Sequence, residues 1–208
     1  MTTEYWFPTP IFYSGFLGDE YKIVSEEIDT VVKDVLKNDK HQYLSDASKI
    51  GDKPLNETYN LREQLFNSYD LPNFHNGVSR FIKQFTDDIQ LFDDYNKFTY
   101  TESWINIFNE DRYHPSHNHR SCDISGVYYH TVPPGSGDIV FETPIPHVET
   151  GQFPYGRVSS GTIKHTVESG KLLLFPFWLK HSVQKASQNF NNQQRISIAF
   201  NIKLSRDN

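Results

Sequence analysis

Seven of the nine histidines fall between positions 114 and 181: His114, His117, His119, His130, His147, His165 and His181. Imidazole is the commonest side-chain metal ligand, so this crowding calls for a metal hypothesis. The densest part is Tyr113-His114-Pro115-Ser116-His117-Asn118-His119. Residues two apart on a strand project to the same side, so His117 and His119 are placed to grip one ion from one strand end. His181 follows 62 residues later (181 − 119), behind Phe175-Pro176-Phe177-Trp178-Leu179-Lys180. A short-range pair plus one distant histidine is the layout of a facial metal site with open positions for substrate and O₂. The plainer reading is that an H-x-H pair is solvated or hydrogen-bonded. His130, His147 and His165 read that way, and His114 is kept as a reserve ligand.

A second constellation is Gln194-Arg195-Ile196-Ser197-Ile198-Ala199-Phe200-Asn201, which begins its arginine 14 residues after His181 (195 − 181). Strand alternation puts Arg195 and Ser197 on one face. The planar guanidinium can bond both oxygens of a carboxylate, and a hydroxyl two residues on can add a third bond. A dicarboxylate chelating a metal at one end would need such an anchor at the other; the plain alternative is a surface arginine. Ser125-Gly126-Val127-Tyr128-Tyr129 reads as a core strand. Alternation turns either Tyr128 or Tyr129 inward, where its phenol is placed to bond the same carboxylate or simply to pack.

These residues need a scaffold, and the pattern changes near residue 95. Phe7-Pro8-Thr9-Pro10-Ile11-Phe12-Tyr13 reads as extended chain that its prolines confine to a sheet edge or a lead-in. With Asp19 as N-cap, Val24, Ile28, Val31, Val32, Val35 and Leu36 make an amphipathic helix to about Asn38. Residues 39–60 read as loop and Leu61–Tyr69 as a short helix. A further helix opens at Leu71-Pro72-Asn73, with Phe74, Val78, Phe81, Ile82, Phe85 and Ile89 in one stripe. From Phe98 to Asn109 the period becomes that of a strand, with Trp104, Asn106 and Phe108 on one face. Strands are further expected at Ser125–Val132, Asp138–Glu142, Gly161–Val167, Lys171–Phe175, His181–Gln184 and Arg195–Leu204, separated by turns such as Pro133-Pro134-Gly135-Ser136-Gly137. The expected fold is mainly β, with N-terminal helices covering one sheet.

The chain has 208 residues, enough for a single domain (1–208, with a helical support region 1–95 and a β core 96–208). The net charge is −6, with no run of basic residues to form a phosphate-binding stripe, so direct nucleic-acid binding is not expected. The one cysteine, Cys122, excludes an intrachain disulfide and reads as a small buried thiol. No stretch has the ~18 apolar residues of a membrane span. Met1-Thr2-Thr3-Glu4-Tyr5-Trp6 lacks the basic-then-apolar pattern of a leader, so a cytoplasmic location is expected. A homodimer is left open.

The order His117-Asn118-His119, Ser125-Gly126-Val127-Tyr128-Tyr129, Gly135-Ser136-Gly137-Asp138-Ile139-Val140-Phe141-Glu142, Leu172 to Val183, then Arg195 to Asn201, resembles the 2-oxoglutarate and Fe(II)-dependent oxygenases related to prolyl 4-hydroxylases. The opening Phe7-Pro8-Thr9-Pro10-Ile11 is similar to how that group begins. The resemblance implies a double-stranded β-helix, or jelly roll, with Fe(II) as cofactor and 2-oxoglutarate and O₂ as co-substrates. It implies His117 and His181 as ligands, Arg195 with Ser197 as the far-carboxylate site, and hydroxylation of a peptidyl prolyl, another amino-acid side chain or a small metabolite. The wider superfamily has Asp or Glu where this sequence has His119. Three readings follow: His119 ligates, Asp123 supplies the carboxylate, or only two protein ligands bind. Trp104, Asn106 and Trp178 are the candidates for shaping the substrate pocket, with residues 143–160 at its mouth. Two other readings compete: a cupin-like metal-binding protein without 2-oxoglutarate chemistry, and a non-catalytic β-sandwich binding module.

Overall fold

The computed structural model describes residues 9–37, 65–90, 97–108, 113–144, 161–188, 190 and 193–206. The elements in chain order are β1 (Phe12–Gly15), α1 (Gly18–Lys37), α2 (Leu65–Ser68), α3 (Pro72–Asp88), β2 (Lys97–Phe108), β3 (His114–His117), β4 (Ile124–Thr131), β5 (Ile139–Glu142), β6 (Thr162–His165), β7 (Lys171–Pro176), β8 (His181–Val183) and β9 (Arg195–Ser205). Phe7, Pro8, residues 39–60, Leu61, His147 and most of the 143–160 stretch lie outside the described residues.

The strands form two antiparallel sheets, a five-stranded one in the order β1-β7-β4-β9-β2 and a four-stranded one in the order β3-β8-β5-β6. This is the expected jelly roll with helices on one sheet. The N-terminal extended segment does become an edge strand, so the sheet takes one strand from before residue 95.

Alternation in the large sheet decides what each face does. Ile105, Ile107, Tyr128, Leu172, Leu174, Ile196, Ile198, Phe200 and Ile202 turn outward and pack against Val24, Ile28, Val31 and Val35 of α1 and Phe74, Val78, Phe81 and Phe85 of α3. The opposite parity, Tyr129, Leu173 and Phe175, turns inward against Ile139 and Phe141 of the small sheet. Phe141 and Phe175 meet there with ring centroids 5.0 Å apart. The helices therefore seal one face of the large sheet and leave its other face to build a cleft.

Two helix expectations are corrected. Leu36 lies 44 % exposed, because it falls one position round from the buried Val35. Asp19 is inside α1, which already begins at Gly18, and bonds Lys22 at 2.8 Å. There it favours the helix through the N-terminal dipole. No described helix is long and apolar enough to cross a membrane. Cys122 is buried, in line with its reading as a small buried thiol.

Candidate metal centre

The cleft between the sheets is lined by residues of β2, β3, β4, β5, β7, β8 and β9, among them His117, His119, His181, Arg195, Ser197, Tyr129, Trp104 and Asn106. The small sheet supplies the histidines. His117 ends β3 and stands opposite His181, the first residue of β8. Their ring centroids are 4.2 Å apart. His119 lies beyond the end of β3 rather than on it. Its place is set by its backbone N–H, which donates to the Phe177 carbonyl at 3.0 Å. One ring nitrogen from each of the three lies within 4.8 Å of the others.

The rings are not held alike. His117 Nδ1 is 2.9 Å from the Pro115 carbonyl oxygen, and His181 Nδ1 is 3.0 Å from that of Leu179. A carbonyl only accepts, so each Nδ1 donates and each Nε2 keeps its lone pair for a metal. His119 Nδ1 faces Asn201 Nδ2 at 3.3 Å instead.

Burial, then repulsion from His117, pushes the pKa of His181 down to about 3 and those of His119 and His114 down to about 4. Burial lowers His117 too, against the bond to Pro115. Neutral imidazole is the form that ligates a metal, so these residues fit a divalent ion.

The large sheet supplies the second half of the cleft. Arg195 is 3 % exposed. Its Nη1 donates to the Ser136 and Gly137 carbonyls at 3.1 and 3.0 Å. Its guanidinium lies over the Tyr129 ring, 5.3 Å from the centroid. Among the described residues no ion pair includes it, and its Nε is buried with no partner. Burial lowers its pKa below the ordinary arginine value. Tyr129 and the Asp138 carboxylate offset part of that burial, but a buried cation held in no ion pair still favours an anion that can join it. Burial pushes the Tyr129 phenol up to about 12, which keeps it a neutral hydrogen-bonding group.

The other sequence candidates separate cleanly. Trp104, Asn106 and Ser197 line the cleft with the triad, and Trp104 lies beside His119 in a tilted pair with centroids 5.7 Å apart. His114 also lines it, its ring tilted against that of His117 with centroids 4.1 Å apart, but it stands outside the three-nitrogen cluster. Tyr128 turns the other way, into the helix-covered core beside Phe16 and Phe74. Trp178 is 40 % exposed and contributes no lining. Asp123 faces away: it accepts from Lys203 Nζ and from the Leu204 backbone N–H, both at 2.8 Å. A partner of His119, Asn201, carries no role in the sequence reading. Its parity with Arg195 and Ser197 was the available signal, because residues 195, 197, 199 and 201 share one face of β9.

Residues 102–201 match a family model described as "Putative 2OG-Fe(II) oxygenase". That segment contains the three histidines, Arg195 and Ser197. No curated protein matches the sequence. Among solved structures the chain is similar to the non-heme alpha ketoglutarate dependent epimerase SnoN from nogalamycin biosynthesis, at 12% identity over 94% of this chain and 76% of that one, TM-score 0.62. It is similar to a Pseudomonas putida prolyl-4-hydroxylase, at 12% identity over 96% and 89%, TM-score 0.54. It is also similar to HygX from Streptomyces hygroscopicus with nickel and 2-oxoglutarate bound, at 15% identity over 94% and 82%, TM-score 0.51. Identities this low carry the fold, and the fold is the jelly roll.

Proposed function

We propose that this chain, a 2-oxoglutarate-dependent oxygenase by its family match, hydroxylates an unactivated C–H bond, with Fe(II) at His117, His119 and His181 and the far carboxylate of 2-oxoglutarate at Arg195 and Ser197. The observation that carries the reading is Arg195. It is a buried cation with an unpartnered Nε and no ion pair among the described residues, and it opens on the same cleft as three neutral imidazoles.

The residues have distinct tasks. The Ser136 and Gly137 carbonyls hold the guanidinium before any ligand arrives, so little reorganisation is needed when a carboxylate binds. The incoming carboxylate supplies a direct ion-pair partner, and Ser197 offers a hydroxyl beside it. Arg195 is too far inside the sheet sandwich for water to compete freely. When bound, iron with 2-oxoglutarate and O₂ supplies oxidation of the C–H bond with release of succinate and CO₂. His117 and His181 present Nε2 because the Pro115 and Leu179 backbone carbonyls accept from Nδ1 and fix it.

The described lining residues include no carboxylate and no lysine, and Trp104, Phe108, Val127 and Val183 give an apolar approach with Asn106 as an orienting amide. That suits a reacting carbon in an uncharged part of the substrate, such as a prolyl ring or another side chain of a peptide. In support, the fold is shared with a Trichoplax adhaerens prolyl hydroxylase in complex with a hypoxia inducible factor peptide fragment, at 12% identity and TM-score 0.54. An uncharged small metabolite would meet the same surfaces.

The test adds Fe(II) and 2-oxoglutarate anaerobically to metal-free protein and reads the visible charge-transfer band of the chelate. The band is expected in the wild type, absent in His181→Ala, and in Arg195→Ala it should need far more 2-oxoglutarate. Metal binding without a band would favour a cupin-like metal protein. No metal binding would make the histidines structural and end the enzyme reading.

A further inference from the structure

Resting on the metal-site reading above, the three histidines form an unequal set, and the cause is a buried amide behind one of them. Asn201 is 0 % exposed and Ser125 1 %. The Ser125 hydroxyl donates to Asn201 Oδ1 at 2.9 Å. On the other side, Asn201 Nδ2 donates to Glu102 Oε2 at 2.6 Å. An ionised carboxylate accepts only, so the amide atom beside Glu102 must be the nitrogen. Glu102 thereby fixes which way round the amide lies. That nitrogen has a second hydrogen, and His119 Nδ1 stands 3.3 Å away to accept it.

A nitrogen that accepts this hydrogen bond cannot carry the ring proton. In the neutral imidazole the proton then sits on Nε2. His117 and His181 show the reverse arrangement, with Nδ1 donating to a carbonyl. We infer that Asn201, locked by Glu102 and Ser125, holds His119 in the Nε2–H tautomer and makes it the weakest of the three ligands.

The consequence is the same whichever nitrogen meets the metal. Ligation through Nε2 needs the proton moved to Nδ1, against the Asn201 N–H. Ligation through Nδ1 needs that N–H displaced. Either route breaks the Asn201 bond, whereas the backbone bonds of His117 and His181 favour their ligation. Glu102 and Asn201 are positioning residues: they act on the metal through His119.

Two measurements test this. Long-range ¹H–¹⁵N spectra of the metal-free protein at neutral pH read the tautomers, with His119→Gln identifying its signals. His119 should appear as Nε2–H, and His117 and His181 as Nδ1–H. Co(II) titration then reads the ligand set. His119→Ala should weaken Co(II) binding by less than about 10-fold, and His117→Ala or His181→Ala by about 100-fold or more, at or above the loss typical when only an outer-shell partner of a ligand is removed.

The double variant Glu102→Gln/Asn201→Asp reverses the chain of bonds. A carboxylate at 201 would accept from His119 Nδ1 and an amide at 102 would donate to it. That variant should switch the His119 tautomer, bind Co(II) about 10-fold more tightly, and make His119→Ala as damaging as the other two. An Nδ1–H tautomer for His119 in the wild type overturns the inference, as does an equal loss from all three alanine variants. A protein that binds no Co(II) removes the proposed function, while the spectra still decide the tautomer.

Discussion

His117 and His181 stand directly opposite each other across the β3–β8 ladder, ring centroids 4.2 Å apart, and each is tied to its own chain by the same device, an Nδ1 bond to the carbonyl two residues before it. Ladder register fixes the spacing, and the two carbonyl bonds fix the ring orientation. A shift of one residue would send both rings to the other face. Pro115 and Leu179 act through their backbone oxygens, so their side chains can change without loss of this control. Pro115→Ala is therefore expected to keep Fe(II) affinity within about 3-fold, against the 10–100-fold loss typical when the outer partner of a ligating histidine is removed. Isothermal titration with Fe(II) under anaerobic conditions reads it, and a loss above 10-fold would mean that the proline ring itself holds His117 in place.

Asp123 is the carboxylate nearest in sequence to the triad, and its geometry commits it elsewhere. Its two oxygens serve Lys203 and the Leu204 backbone N–H. Asp123→Ala should leave metal affinity unchanged within about 2-fold and lower stability by about 1 kcal/mol, the worth of one backbone bond plus a half-exposed ion pair. Metal titration beside thermal unfolding separates the two effects. A tenfold loss of metal affinity would restore Asp123 as a ligand.

The sequence carries the parity of strands well and the ends of strands poorly. Arg195 and Ser197 share a face because strand alternation is local and strict, and the cleft uses that face. Tyr128 and Tyr129 show the limit: alternation says that they part, but not which of them meets the helices. Phe16 and Phe74, distant in sequence, decide it for Tyr128. His119 is harder still. Two-residue spacing places it beside His117, but β3 stops at His117, and the Phe177 carbonyl does the placing. Glu102 was hidden by an irregularity in the β2–β9 register between Tyr100 and Glu102, which brings it opposite Asn201. No pattern in the β2 sequence announces that shift.

Gly137 offers a test of how the anion anchor is held. Its φ is +70°, and an added Cβ would overlap the Gln184 carbonyl oxygen. Its own carbonyl accepts from Arg195 at 3.0 Å. Gly18 is the natural control, with φ +58° and nothing within 4 Å of an added Cβ. Gly18→Ala should lower stability by about 1 kcal/mol through left-handed strain alone. Gly137→Ala adds displacement of the loop under Arg195. It should lower stability by about 2–3 kcal/mol and also weaken 2-oxoglutarate binding. Thermal unfolding and co-substrate titration read the pair. Equal stability losses with unchanged 2-oxoglutarate binding would show that the loop does not hold the guanidinium.

Acid should unfold the metal-free protein through the histidine cluster, and the direction follows from the shifts. The ordinary histidine pKa is near 6.5; folding lowers it to about 3 for His181 and about 4 for His119 and His114, chiefly by burial. Above 6.5 both folded and unfolded chains hold these rings neutral, and the full stability is present. As the pH falls from 6.5 towards 4, the unfolded chain takes up protons that the folded chain refuses. Stability then drops by up to about 1.4 kcal/mol per pH unit for each such histidine. Repulsion between charged rings couples their titrations and helps the folded state refuse protons, and three times that slope is the upper limit for the three together. Below the folded pKa values the folded state protonates too, and the dependence flattens. The melting temperature of the metal-free protein is therefore expected to fall steeply between about pH 6.5 and pH 4.5. His181→Leu removes the most strongly shifted ring and should shallow that fall while leaving the neutral-pH melting temperature within a few degrees. An unaltered pH slope in His181→Leu would mean that the cluster is open to water in solution and that its burial does not govern acid stability.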